Sequence, residues 1–120
     1  MTELATYDGS CHCGAVRFRF QAPPITRACR CNCSICRRKP SLMSTEYIPR
    51  DRFELLSGAD ALETYRWGDR MVNFSFCRHC GVHPFHDATT NPGHYRVNLG
   101  CVDAIDAQAL PLDLIDGKSF

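Results

Sequence analysis

Seven of the nine cysteines stand in three short-spaced groups. Cys11 and Cys13 form C-x-C, Cys31, Cys33 and Cys36 form C-x-C-x-x-C, and Cys77 and Cys80 form C-x-x-C followed by Gly81. Thiolates at such spacings are soft ligands that suit a tetrahedral metal, most often zinc. The two outer pairs make a complete set of four, the composition of a structural site; four buried thiols without metal are the alternative. The central three leave a tetrahedral ion one position short, and catalytic zinc keeps such a position for water or substrate. Two zinc ions are therefore expected, one that folds the chain and one that does chemistry. The alternative for the central site is a second structural metal completed by Cys29, Cys101, His83 or His86.

Other residues could serve that chemistry. Arg37 and Arg38 directly follow the triple motif, and a guanidinium fork recognises carboxylates through paired hydrogen bonds. They are candidate substrate-binding residues; surface or ion-paired arginines are the alternative. His83 and His86 flank Pro84-Phe85 on one face, as candidate general acids or hydrogen-bonded structural histidines. His12 and His79 lie inside the knuckles and are expected to point outward. Cys29 shares the period of two with Cys31 and Cys33, so an extended stretch would turn all three to one side. It is expected to be a buried spectator thiol, and Cys101 a small buried hydrophobe or a neighbour of the open site. Trp67, the sole tryptophan, is expected to close a sheet edge or core.

The elements that must hold these residues are short strands. Ala15–Phe20, AVRFRF, alternates Val16, Phe18 and Phe20 with Arg17 and Arg19, the mark of a half-buried strand. Met71–Phe76 and Tyr95–Leu99 alternate likewise, and weaker strand patterns lie at Ser44–Ile48, Phe53–Leu56, Thr64–Trp67 and Leu112–Ile115. Turn formers separate them, including Pro49, Ser57-Gly58, Gly68-Asp69, Asn91-Pro92-Gly93-His94 and Asp116-Gly117. Only Ser34–Lys39 and Ala104–Leu110 could form a short helical turn. The pattern predicts a small, mainly β domain of two packed sheets or an irregular barrel. Cys11/Cys13 then precede a strand and Cys77/Cys80 follow one, the placement of zinc knuckles.

At 120 residues the chain is expected to be one domain spanning 1–120, burying roughly two-thirds of its unfolded surface. The net charge of +1 and pI of about 7.6 give no field to attract nucleic acid or an anionic membrane. Met1–Ser10 lacks the apolar core of a signal peptide. A cytoplasmic setting is expected, where thiols stay reduced and clustered cysteines favour metal over disulfides. The sequence is compatible with a homo-oligomer and does not specify one.

Taken together, G-S-C-H-C-G-A-V-R-F at Gly9–Phe18, C-N-C-S-I-C-R-R at Cys31–Arg38 and F-C-R-H-C-G at Phe76–Gly81 resemble the glutathione-dependent formaldehyde-activating enzyme family, which includes the domain of centromere protein V. The resemblance runs from Gly9 to Asp103. It implies a β-tent fold around two zincs, with Cys11, Cys13, Cys77 and Cys80 on the structural ion. It implies further that Cys31, Cys33 and Cys36 are catalytic and hold an ion whose vacancy takes the thiolate of glutathione. The implied reaction condenses a small thiol with formaldehyde or another aldehyde, or runs in reverse as a carbon–sulfur lyase step. A non-catalytic two-zinc interaction module or a thiol-adduct carrier is the rival reading. Where members commonly have small residues and an aromatic after the double arginine, this chain has Lys39-Pro40-Ser41-Leu42-Met43, a segment expected to border the open site.

Overall fold

Ten short strands carry the fold of the computed structural model, which describes residues 3–39, 41–66 and 72–119. They are β1 (Ala5–Ser10), β2 (Arg17–Ala22), β3 (Ala28–Cys31), β4 (Met43–Ser44) and β5 (Phe53–Ser57), then β6 (Leu62–Tyr65), β7 (Val72–Cys77), β8 (Phe85–Ala88), β9 (Asn91–Val97) and β10 (Leu112–Ile115). Helix among the described residues is limited to three-residue 3₁₀ turns. The fold is mainly β, as the alternating runs predict. Among the described residues no helix is long and apolar enough to cross a membrane.

Among the described residues the strands form three small sheets, where the alternation pointed to two packed sheets or a barrel, ordered β1-β2-β5, β10-β3-β4 and β6-β7-β8-β9. The first and third are antiparallel throughout. In the second, β10 runs parallel to β3, pairing Leu112 with Ala28 through Ile115 with Cys31. Isolated bridges stitch the sheets together: Gly9 to Val102, Met43 to Asn98 and Ile48 to Tyr95.

Period-two burial explains the first sheet. In β2, Phe18, Phe20 and Ala22 are buried while Arg17, Arg19 and Gln21 are exposed. Phe18 stacks on Phe53 of β5 at 5.7 Å and meets Phe85 of β8 edge-on at 5.7 Å. Phe85 and Phe53 each pack on Tyr95 of β9, at 5.0 and 4.3 Å. This aromatic cluster joins the first and third sheets, and offset or edge-on rings add to plain area burial.

The structure corrects several local expectations. Ser44–Ile48 is not one strand: the ladder covers Met43–Ser44, and Ile48 joins only by its bridge to Tyr95. Asn91–His94 is not a turn but the start of β9; the hairpin reverses at Thr89-Thr90, and a register shift at Asp87/Ala88 absorbs the offset. Gly93 takes φ of 85° there, a backbone few other residues tolerate. Ala104–Leu110 forms only the 3₁₀ turn Ala107–Ala109, and Leu99 closes β9 in another such turn, Leu99–Cys101. Ser34–Lys39 makes one helical turn, with the N–H groups of Arg37 and Lys39 donating to the carbonyls of Cys33 and Ile35. Trp67, Gly68, Asp69, Met71 and Pro40 lie outside the described residues.

Candidate metal centres and the cavity beside them

The outer cysteines converge as the spacing requires. Cys11 and Cys13 sit between β1 and β2, and Cys77 and Cys80 at the end of β7, so the cluster spans the first and third sheets. Both knuckles use the same backbone device. The N–H of Cys11 donates to the Val16 carbonyl and that of Cys77 to the Val82 carbonyl. A glycine with positive φ follows each pair, Gly14 at 82° and Gly81 at 76°, and its N–H donates to the first cysteine's carbonyl. The four sulfurs lie within 4.8 Å of one another. Cys13 Sγ is 3.6 Å from Cys11 Sγ and 3.7 Å from Cys77 Sγ. A tetrahedron with metal–sulfur bonds of about 2.3 Å has edges of about 3.8 Å, so the set fits a zinc-sized ion. The Val16 N–H donates to Cys11 Sγ at 3.3 Å, as expected for a sulfur that carries negative charge.

The ionisation of these thiols is consistent with a site built for a cation. Backbone N–H groups near Cys13 and Val82 pull Cys80 down to about 6. At Cys13 the backbone at Ala15 lowers the pKa, but burial and the thiols of Cys11, Cys77 and Cys80 push it up to about 11. Four sulfurs this close cannot all ionise unless a positive charge sits among them. His12 and His79 are exposed, as expected. Cys101 belongs to this neighbourhood, not to the open site: burial, with Cys11 and Cys80 nearby, raises it to about 12.

The second cluster is built from six consecutive residues. Cys31 ends β3, and Cys33 and Cys36 lie on the helical turn that follows; their sulfurs also lie within 4.8 Å of one another. Among the described residues no fourth cysteine, histidine or carboxylate joins them. Cys29 is not a ligand. It is buried, and its Sγ donates to the Ser44 carbonyl at 3.3 Å. The strand stops at Cys31 and the chain then turns, so Cys29 and Cys31 share a face of β3 and Cys33 reaches the same cavity from the turn. Gly117, after β10, packs against Cys31: a Cβ there would collide with Cys31 Sγ and lie 3.2 Å from Cys33 Cβ. Burial and the neighbouring Cys33 push Cys36 up to about 12, whereas Cys33 is lowered despite burial, by the Cys36 backbone and the adjoining thiols. Three thiols with an open fourth place suit a zinc ion too.

A cavity of about 310 Å³ opens on this cluster, lined by all three of its cysteines. Val72, Phe74 and Met43 give it apolar walls, and Lys39, Arg96 and His86 its polar groups. Lys39 and Ser41 line it, as the segment after the double arginine was expected to do. The Lys39 ammonium lies 4.7 Å from the Phe74 ring centroid and the Arg96 guanidinium 4.5 Å from that of Tyr47. Arg96 Nε is buried without a hydrogen-bond partner. Arg37 and Arg38 are exposed outside this lining, and Arg38 donates to the Ser34 carbonyl at 2.6 Å. The sequence reading did not single out Arg96 or Tyr47. The signal for Arg96 was present in its alternation with Tyr95 and Val97, which puts it on the face opposite the core.

A small β protein with one four-thiol cluster and one three-thiol cluster beside a cavity belongs to the class of domains built to hold metal ions on cysteines. The chain belongs to the glutathione-dependent formaldehyde-activating enzyme family, whose profile matches residues 6–113. It is similar to a crystal structure of a Rhodobacter sphaeroides protein, with a TM-score of 0.76 and 30% identity over 88% of this chain and 99% of that one. It is also 61% identical over 31 residues to a Halomonas elongata protein provisionally named a glutathione-dependent formaldehyde-activating enzyme. That match covers 26% of this chain and 20%, one fifth, of the relative.

Proposed function

We propose that this chain, as one formaldehyde-activating-type domain over residues 1–120, is a zinc-dependent carbon–sulfur bond-forming and bond-breaking enzyme. It joins a small anionic thiol, glutathione or a relative of it, to formaldehyde or another small aldehyde. The observation that carries this reading is the three-cysteine cluster, which no fourth ligand joins among the described residues, opening into a cavity whose charged residues among those described, Lys39 and Arg96, are both cations. Cys11, Cys13, Cys77 and Cys80 hold a structural zinc in this reading, and Cys31, Cys33 and Cys36 a catalytic one. When bound there, zinc supplies Lewis acidity and stabilises an incoming thiol as thiolate near neutral pH.

The chain's own residues do the rest. Lys39 and Arg96 attract the carboxylates of the thiol and offset the negative charge of the cysteine cluster. Arg37 and Arg38, on the exposed side of the same turn, add to the field without enclosing the ligand. Val72, Phe74 and Met43 exclude water, which strengthens each of these interactions. In the reaction the thiol sulfur bonds to the aldehyde carbon, the carbon–oxygen π bond opens, and the thiol proton ends on oxygen. The reverse step releases both partners.

Calorimetric titration of the zinc-loaded protein with glutathione tests the reading, followed by the rate of adduct formation with formaldehyde. Saturable binding that Lys39→Met weakens about tenfold is expected, on the order of one charge-assisted contact. Absence of saturable binding by any small thiol would sink it. Binding with no gain in rate over the uncatalysed reaction would make the protein an adduct carrier.

A further inference from the structure

Two histidines behind the cavity form a directed hydrogen-bond chain. His83 and His86 are 7% and 8% exposed, and their rings stack with centroids 5.5 Å apart, at 19°. His83 Nδ1 lies 2.7 Å from the Ser75 carbonyl oxygen. A carbonyl can only accept, so His83 Nδ1 carries a proton. His86 Nδ1 lies 3.4 Å from His83 Nε2. With His83 neutral, that Nε2 has only a lone pair to offer, so His86 Nδ1 must be the donor. His86 is then left with its lone pair on Nε2.

The direction of this chain is secured by its surroundings. Burial, reinforced by Lys39, holds His83 down at about 4. Burial, then His83, Lys39 and Arg96, hold His86 down at about 3. Both rings therefore stay neutral at physiological pH. Phe74 packs against the two of them, at 5.9 and 5.3 Å. His86 lines the cavity of the Cys31/Cys33/Cys36 cluster, and His83 does not. The Nδ1 of His86 is turned to His83, which leaves Nε2 as the ring nitrogen that His86 can offer to the cavity it lines.

We propose that His86 Nε2 is the specificity-determining hydrogen-bond acceptor for the hydroxyl of an S-hydroxymethyl adduct, with His83 as the positioning residue that fixes its tautomer. This rests on the thiol–aldehyde reading given above. A lone pair at this place accepts from the S–CH₂–OH hydroxyl and finds no donor on an S-methyl group. A buried acceptor left unpaired penalises the ligand that lacks the donor. Lys39 and Arg96 are donors only, so the cavity holds anionic groups with one set of residues and the hydroxyl with another.

Two measurements test it. Long-range ¹H–¹⁵N correlation spectra of the zinc-loaded protein at neutral pH report each histidine's tautomer without reference to activity. Protons on Nδ1 of both His83 and His86 are expected; a proton on Nε2 of His86 overturns the assignment. Calorimetry then compares S-hydroxymethylglutathione, kept formed by excess formaldehyde, with S-methylglutathione in the same formaldehyde, ligands that share a thioether sulfur and differ in the hydroxyl. The wild type should prefer the hydroxymethyl form about tenfold, the scale of one neutral hydrogen bond. His86→Phe should bring that preference to about one without weakening S-methylglutathione, and His86→Gln, which keeps an acceptor, should restore part of it. An undiminished preference in His86→Phe refutes the proposal even if thiols bind. If the wild type binds neither ligand, the thiol–aldehyde reading itself falls, and the spectra still report the tautomer separately.

Discussion

Cys11, Cys13, Cys77 and Cys80 draw two sheets together across more than sixty residues of chain, whereas Cys31, Cys33 and Cys36 come from one strand end and the turn after it. The ligand chemistry is the same and the consequences differ. In the first cluster Cys11 and Cys77 are buried within the hydrophobic core, so a cation held there would tie together the same two sheets that the aromatic cluster joins. In the second, all three sulfurs are partly exposed to a cavity. β3, which carries Cys31, is already held by β4 and β10. A metal that closes a long loop stabilises the fold; a metal held by one local loop can be exchanged or used without the fold noticing.

The strongest way to break this comparison is to remove one ligand from each site. Cys77→Ser should abolish cooperative folding. Structural zinc contributes on the order of 10–16 kcal/mol apparent in small domains, as much as a whole domain's stability of about 5–15 kcal/mol. A soluble Cys77→Ser protein with a sharp thermal transition would remove the distinction. Cys33→Ser should instead leave the circular dichroism spectrum and thermal midpoint close to wild type, halve the zinc measured by mass spectrometry, and reduce activity to background. An unfolded Cys33→Ser variant would make the second site structural as well.

Acid sharpens the comparison next. His83 and His86, which back the open site, have folded pKa values of about 4 and about 3 against an ordinary 6.5. Between those values the unfolded chain binds more protons than the folded one, so stability rises with pH through that window. Their contribution is fully present above about 6.5 and is lost as pH falls toward 4 and 3. For His83 alone the loss is about 3 kcal/mol. Urea midpoints from pH 7 to pH 5 should therefore fall, and should fall less steeply in His83→Phe. Zinc content followed in the same samples separates this from protonation of the cysteines. An equal slope in the variant would show that the histidines do not carry the effect.

The sequence discloses the two regions unequally, for physical reasons. The four cysteines that converge in the outer cluster were readable, because knuckle spacing and strand alternation are local signals. So was the bordering role of Lys39, Ser41 and Met43, because that segment is contiguous with Cys36. Alternation puts Arg96 on the face of β9 away from the core, beside His86, but that this face meets Cys31, Cys33 and Cys36, far earlier in the chain, is a contact no short window contains. The parallel pairing of β10 with β3, which brings Gly117 against Cys31, is non-local in the same way. Arg37 and Arg38 drew attention as neighbours of the motif, yet the turn that gathers Cys33 and Cys36 points them outward. β1 and β8 escaped the reading because Asp8-Gly9 and Asp87-Ala88 blur their alternation.

β10 offers the finest discrimination, since an exposed ion pair lies near one end of it and the contact with Cys31 just past the other. At one end Arg27 donates to both oxygens of Asp113, at 2.9 and 2.6 Å, but the two side chains are 51% and 47% exposed. Exposed ion pairs are screened and contribute little, and the four-residue ladder with Ala28 buried beneath it already fixes the register. Arg27→Ala should leave the thermal midpoint within replicate scatter and the zinc content unchanged. At the other end Gly117→Ala puts a methyl group against Cys31 Sγ. It should lower zinc affinity at the second cluster alone, read as faster loss of one equivalent to a chelator, with the midpoint barely moved. If Arg27→Ala releases zinc as readily as Gly117→Ala, the strand as a whole, and not the contact with Cys31, is what holds the open site in shape.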